Sequence, residues 1–181
     1  MIFVDIISNE RIIIENEINN YPVIMVSMNV LINHYSFDLY NTFFMEKKKN
    51  TIVDGTFSRL LYSTQFFVMN GLYFEFPIRF LRIHNTDRIS ELIFVPYKES
   101  NLSLINDFTK MENALLSYYN DLYGTNKLVT NTLSKQLFSG NMKLYRNLKK
   151  KTMQPQHFVI KISGIWETKH EIGLATKLLC Y

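Results

Sequence analysis

Apolar and polar residues alternate with a period of two through much of the first half of the chain. In PVIMVSMNVLIN, Pro22–Asn33, the set Ile24, Val26, Met28, Val30 and Ile32 is uniformly apolar. It faces away from Val23, Met25, Ser27, Asn29 and Leu31, which predicts a strand with the first set toward the core. Asp38–Met45 reads as a second, shorter strand. The densest β region is Thr56–Phe94, where Thr56–Tyr62 and Gln65–Val68 are expected strands. Asn70-Gly71 reads as a hairpin turn, since both residue types tolerate its backbone angles. Leu72, Phe74, Phe76, Ile78 and Phe80 then alternate with Tyr73, Glu75 and Arg79. Pro77, which has no N–H to donate, marks an edge or a bulge there. Leu81–Ile83 extends this run, and Glu91–Val95 comes after an Asn85-Thr86-Asp87 turn.

The period changes after Pro96. Leu104, Phe108, Met111, Leu115 and Leu122 make the stripe of a helix over Ser103–Tyr123, capped by Asn101 or Ser103 and stopped at Gly124. A second helical region is expected over Thr130–Lys149, with a break at Gly140-Asn141. Alternation returns in His157–Ile165 and Gly173–Leu179, a terminal β pair joined by an exposed connection, Trp166–Glu171. These patterns predict one compact domain spanning residues 1–181, of α+β class. It is antiparallel and β-rich, either an OB-like barrel or a sheet with one or two packed helices, and it ends in a hairpin that joins the main sheet or packs on the helices.

Composition narrows the choice of function. The 181 residues are 47% hydrophobic and 20% charged, with 14 Phe and 11 Tyr, which excludes a disordered chain. A single cysteine, Cys180, excludes an intrachain disulfide framework. The four histidines are scattered, so neither a Cys-rich metal module nor a compact histidine site is expected. The start, MIFVDIISNERIII, does not resemble a signal peptide, and no apolar window is long enough for a membrane-spanning helix. The chain reads as soluble and intracellular, with no membrane partner.

No phosphate-cradling glycine motif, zinc-protease motif, nucleophile elbow or CxxC pair occurs. Glu167, His170 and Glu171 offer acid–base groups without a nucleophile, and as a set they read as polar hairpin residues. Asp38, Asp54 and Glu75 are carboxylates that a metal site would require together, which spacing does not provide. No catalytic residue, metal or cofactor is assigned.

Charge is the sharper feature. The net +4 of the whole chain overlies an acidic start, net −3 over the first twenty residues, and a basic stretch from 141 to 177. That stretch carries eight Lys or Arg against two Asp or Glu. On a helix, Lys143, Arg146 and Lys150 would share a face, with Lys149 and Lys151 beside them. They would form either a phosphate-binding patch or a solvated helix end. The run Lys47, Lys48, Lys49 reads as an exposed turn or a further phosphate contact. Arg59, Arg79, Arg82 and Lys161 are candidate backbone contacts, and Tyr73, Tyr145 and Trp166 candidate stacking residues. For Trp166, packing as the anchor of the terminal hairpin is the competing role.

The segments FSRLLYSTQFFVMNGLYFEFPI and FVIKISGIWETKHEIGLATKL carry Asn70-Gly71-Leu72-Tyr73, Ile162-Ser163-Gly164-Ile165-Trp166-Glu167 and Gly173-Leu174. They resemble small single-stranded-DNA-binding proteins of large DNA viruses. The resemblance covers the central β block and the C-terminal hairpin. It implies an OB-like domain engaging a single strand in a viral replication compartment, alongside viral replication proteins or further copies of itself. Three functions fit the sequence: noncatalytic binding and protection of single-stranded DNA in replication or recombination, a viral protein–protein interaction or structural role, and a small metal-dependent nucleic-acid enzyme.

Overall fold

The computed structural model describes residues 9–13, 24–28, 30–86, 89–146 and 157–180. β1 (Asn9–Ile13) and β2 (Ile24–Met28) form a separate antiparallel pair. Two 3₁₀ turns, His34–Ser36 and Leu39–Asn41, lead into the main sheet. Its strands are β3 (Thr42–Phe44), β4 (Lys48–Lys49), β5 (Thr56–Ser63), β6 (Val68–Asn70), β7 (Leu72–Glu75), β8 (Phe80–Asn85), β9 (Ser90–Phe94), β10 (Leu128–Val129), β11 (Asn141–Arg146), β12 (Phe158–Glu167) and β13 (Glu171–Cys180). The helices are α1 (Glu99–Tyr123) and α2 (Thr132–Ser139).

The main path runs β3-β5-β12-β13-β11-β9-β8, with β4 and β6 on β5, β7 on β12, and β10 on β13. Pairing is antiparallel except where β10 and β11 run parallel to β13. β3 and β8 stand at opposite ends of this path, so the α+β domain is built on an open, mostly antiparallel sheet rather than a closed barrel. The C-terminal hairpin forms its centre. Among the described residues no helix is long and apolar enough to cross a membrane.

One face of the sheet packs on the helices. Phe74, Ile160, Leu178, Leu144 and Leu92 are buried, as are Leu104, Ile105, Phe108, Met111 and Leu115 of α1. Phe108 meets Phe74 and Phe76 edge-on, with ring centroids 5.8 and 5.6 Å apart. The helical stripe continues through Tyr119 rather than Leu122, which is exposed. Asn101 does not cap α1. The helix starts two residues earlier, and the buried Asn101 amide instead holds the backbone of Arg79 and Val95, at 2.9–3.0 Å.

Several expected elements take another form. Asn70-Gly71 is not a hairpin turn. β6 pairs with β5 while β7 pairs with β12, so Gly71, at φ +85°, lies where the chain passes from one partner strand to another. The long alternation from Leu72 splits at Pro77 into β7 and β8, and Phe80 is exposed. Asp38–Met45 is a 3₁₀ turn leading into a three-residue strand, and of Pro22–Asn33 only Ile24–Met28 is a described strand.

The second helix is the main correction. α2 ends at Ser139, and Gly140 caps it in the left-handed region, φ +71°. A Cβ there would lie 2.6 Å from the Phe94 carbonyl oxygen, so the site demands glycine. The next segment is strand β11, paired with β9 and β13. Lys143 and Arg146 therefore do not share a helix face. At the other end of α2, the fully buried Glu112 carboxylate accepts the Leu133 N–H at 2.9 Å, the Ser134 N–H at 2.8 Å and the Ser134 hydroxyl. It satisfies donors that a helix start leaves open.

Candidate nucleic-acid interface

The sheet's other face carries the basic and aromatic residues. Side chains alternate across a strand, so Lys161 on β12 stands opposite the core residues Ile160 and Ile162. Lys177 on β13 and Lys143 on β11 do the same beside Leu178 and Leu144. In register, Lys161 faces Lys177 directly, and Lys143 lies one residue before the Leu144–Leu178 pair. Three lysines thus line up across three neighbouring strands, whose backbones lie about 4.8 Å apart.

A bulge produces this alignment. From the hairpin end, Trp166 pairs with Gly173 and Gly164 with Ala175, a register that would set Lys161 against Leu178. Ser163 is the extra residue, and beyond it the pairing shifts by one, so Lys161 meets Lys177. Like charges directly opposite each other destabilise a sheet. Two tyrosines offset this locally. Lys161 Nζ lies 4.8 Å from the Tyr73 ring centroid, while Lys177 and Lys143 lie 5.2 and 5.3 Å from that of Tyr145. Such contacts contribute roughly 0.5–1 kcal/mol each at exposed sites. Among the described residues none of the three lysines is ion-paired to a carboxylate within 4 Å. Lys177 is not legible as a site residue in the sequence. Its signal lies in the pairing with Lys161, which the bulge conceals.

The other candidates distribute around this row. Tyr145 is 40% exposed, but Tyr73 is only 5% exposed, so its ring contacts the Lys161 ammonium rather than solvent. Arg59, exposed and paired with Gly164, lies on the same face, as does Arg82 on β8 opposite Ile93. Arg79 is exposed in the connection after Pro77. Arg146 ends β11, and Lys149, Lys150 and Lys151 lie outside the described residues.

Trp166 is half-buried on this same face, against Gly173. A Cβ on Gly173 would come within 2.3 Å of the Trp166 ring and 3.0 Å of the Thr130 carbonyl oxygen. Gly173→Ala is therefore expected to destabilise the domain by about 1–3 kcal/mol, the usual range for overpacking. A lower urea midpoint with unchanged slope checks this, and an unchanged midpoint contradicts it.

The lysine run divides. Lys48 and Lys49 are exposed on β4, but Lys47 turns inward and pairs with Glu167 at 2.7 Å. Glu167 is correspondingly not an exposed loop residue. β12 runs through it, the connection shrinks to Thr168–His170, and its carboxylate is almost fully buried. It also pairs with Lys127 and accepts the Tyr119 hydroxyl at 2.8 Å, while Tyr119 meets Ser58 at 3.1 Å. Lys47 Nζ further lies 4.5 Å from the Tyr123 ring centroid. Burial pushes the Glu167 carboxyl upward, but hydrogen bonds from Lys127, Lys47 and Tyr119 outweigh it and hold the group at about 2. Burial raises the Tyr119 hydroxyl well above its ordinary value, and Glu167 adds to this against the opposing Ser58 bond. This cluster joins α1, β12 and two loops.

Among the described residues no three His, Cys, Asp or Glu side chains gather as metal ligands. Asp38 and Glu75 line one cavity, and Asp54 is not part of it. No known protein family, curated protein or solved structure matches the chain.

Proposed function

We propose that the protein is a noncatalytic binding module for single-stranded DNA, protecting exposed strands during viral DNA replication or recombination. The observation that carries this reading is the Lys161–Lys177–Lys143 row, three cations on adjacent strands, none within 4 Å of a carboxylate among the described residues, although Glu91 stands opposite Lys143 in register. A phosphodiester backbone laid across the strands relieves their mutual repulsion and releases its own counterions. Tyr145 supplies an aromatic surface within the row, Arg59 extends the basic face beyond β12, and Arg82 lies on the far side of Glu91 of β9. The viral setting rests on the resemblance of the central β block and terminal hairpin to single-stranded-DNA-binding proteins of large DNA viruses.

Labelled single-stranded DNA, single-stranded RNA and duplex DNA, titrated from low to high salt with and without magnesium, test the proposal. Preferential, salt-sensitive binding of single-stranded DNA is the expected result. Absence of binding at low salt overturns it, and magnesium-dependent cleavage reassigns the protein to the nucleic-acid enzymes.

A further inference from the structure

Beside β7, which pairs with the lysine-bearing β12, lies a cavity of about 730 Å³. The row and the cavity are linked through β7. Tyr73, which holds Lys161, lies two residues before Glu75 in the cavity wall, and its carbonyl accepts the Ile32 N–H at 2.8 Å from the segment that forms the floor. This size accommodates a small organic ligand or a single nucleotide unit.

The lining specifies its chemistry. Val30, Ile32 and Tyr62 form a buried floor, and Phe66 and Phe67 provide flat aromatic surface. The Tyr62 hydroxyl, almost wholly buried, accepts the Asp38 N–H at 3.4 Å and has no acceptor for its own proton among the described residues. Asp38 is occupied by the Tyr40 N–H and the Asn41 amide, at 3.0 and 3.3 Å. Glu75 and Gln65 have no hydrogen-bond partner among the described residues. The cavity therefore offers a buried donor, a carboxylate acceptor without a hydrogen-bond partner among the described residues, an amide that does both, and planar apolar walls. No Lys or Arg among the described residues lines it, so it is built for a neutral ring rather than a phosphate.

We infer that this cavity receives an unstacked nucleobase bearing an exocyclic amino group, from a strand whose phosphates lie on the lysine row. Glu75 accepts the amino N–H, as carboxylates do from cytosine N4, and Phe66 stacks on the ring. The inference rests on the single-strand reading and adds a base preference to it.

Labelled oligo-dC and oligo-dT of equal length, titrated in parallel, separate the two. Thymine presents a carbonyl where cytosine presents the amino group. The intact protein is expected to bind oligo-dC about tenfold more tightly, the worth of one hydrogen bond to a charged acceptor. Glu75→Ala is expected to bring the ratio near one, and Phe66→Ala to weaken binding of both. Both side chains are exposed, so neither change threatens the fold. Lys177→Glu should weaken both oligonucleotides equally and leave the ratio intact. A ratio near one in the intact protein overturns the base pocket while leaving strand binding in place. A dC preference that survives Glu75→Ala overturns this location. Failure of both oligonucleotides to bind at low salt overturns strand binding, and the pocket's role with it.

Discussion

Lys177→Glu is expected to weaken binding of a labelled single-stranded oligonucleotide by about a hundredfold at moderate salt without lowering stability. Lys177 is the middle of the row. Reversing its charge removes one phosphate contact and places a carboxylate where the backbone must pass, together worth about 3 kcal/mol. In the free protein the same change converts the Lys161–Lys177 repulsion into an attractive cross-strand pair, worth roughly 0.2–1 kcal/mol. It also sets a carboxylate beside Lys143, which still covers Tyr145. The same change removes the Lys177 contact with the Tyr145 ring, which offsets that gain, so affinity should fall while stability stays nearly unchanged, which a merely structural lysine would not produce. Replacing Lys143, Lys161 and Lys177 together by alanine should reduce the slope of log affinity against log salt by about 2, from three lost contacts on a single strand. Unchanged affinity in a folded Lys177→Glu protein, or loss of affinity together with stability, contradicts this.

The second large effect concerns Glu167. Glu167→Gln keeps the shape but leaves Lys47 and Lys127 partly buried beside each other without a counter-charge. Breaking a buried pair on one side costs about 3 kcal/mol. The pH dependence supplies an independent check. The carboxyl is held at about 2, below its ordinary 4.5, so folding favours its ionised form. Its stabilisation is complete above 4.5 and is lost as pH falls through about 2, amounting to about 3 kcal/mol over that interval. Urea midpoints measured from pH 6 to 2 should fall for the intact protein and fall less for Glu167→Gln. Equal midpoints at pH 6, or parallel curves for the two proteins, contradict this role.

How much of the fold is legible in the sequence depends on how local each cause is. The stripe at Leu104, Phe108, Met111 and Leu115 is local, and α1 forms there and stops at Gly124 as expected. The alternations in β5, β9, β12 and β13 are equally local. Partner choice is not. Asn70-Gly71 has the residues of a hairpin turn, yet the strands on either side pair with β5 and β12. Met142, Leu144 and the lysines around them fit a helix or a strand until Gly140 ends α2 and β9 and β13 accept the segment. The candidate site meets the same limit. Lys161, Lys143 and Tyr145 are identifiable by type, but the row exists only because Ser163 shifts the hairpin register, which also brings in Lys177. Lys47 and Glu167 read as exposed, and each turns inward because the other is there.

The central claim is that a single strand covers the three lysines of the row. Reductive methylation of the lysines, with and without a bound single-stranded DNA oligonucleotide, measures that in one experiment. Lys110 on α1 and Lys135 on α2 are exposed on the helical side and serve as internal controls. The expected result is protection of Lys143, Lys161 and Lys177 with Lys110 and Lys135 modified as before. Equal modification of all five with the strand bound, or protection confined to the helical side, contradicts it.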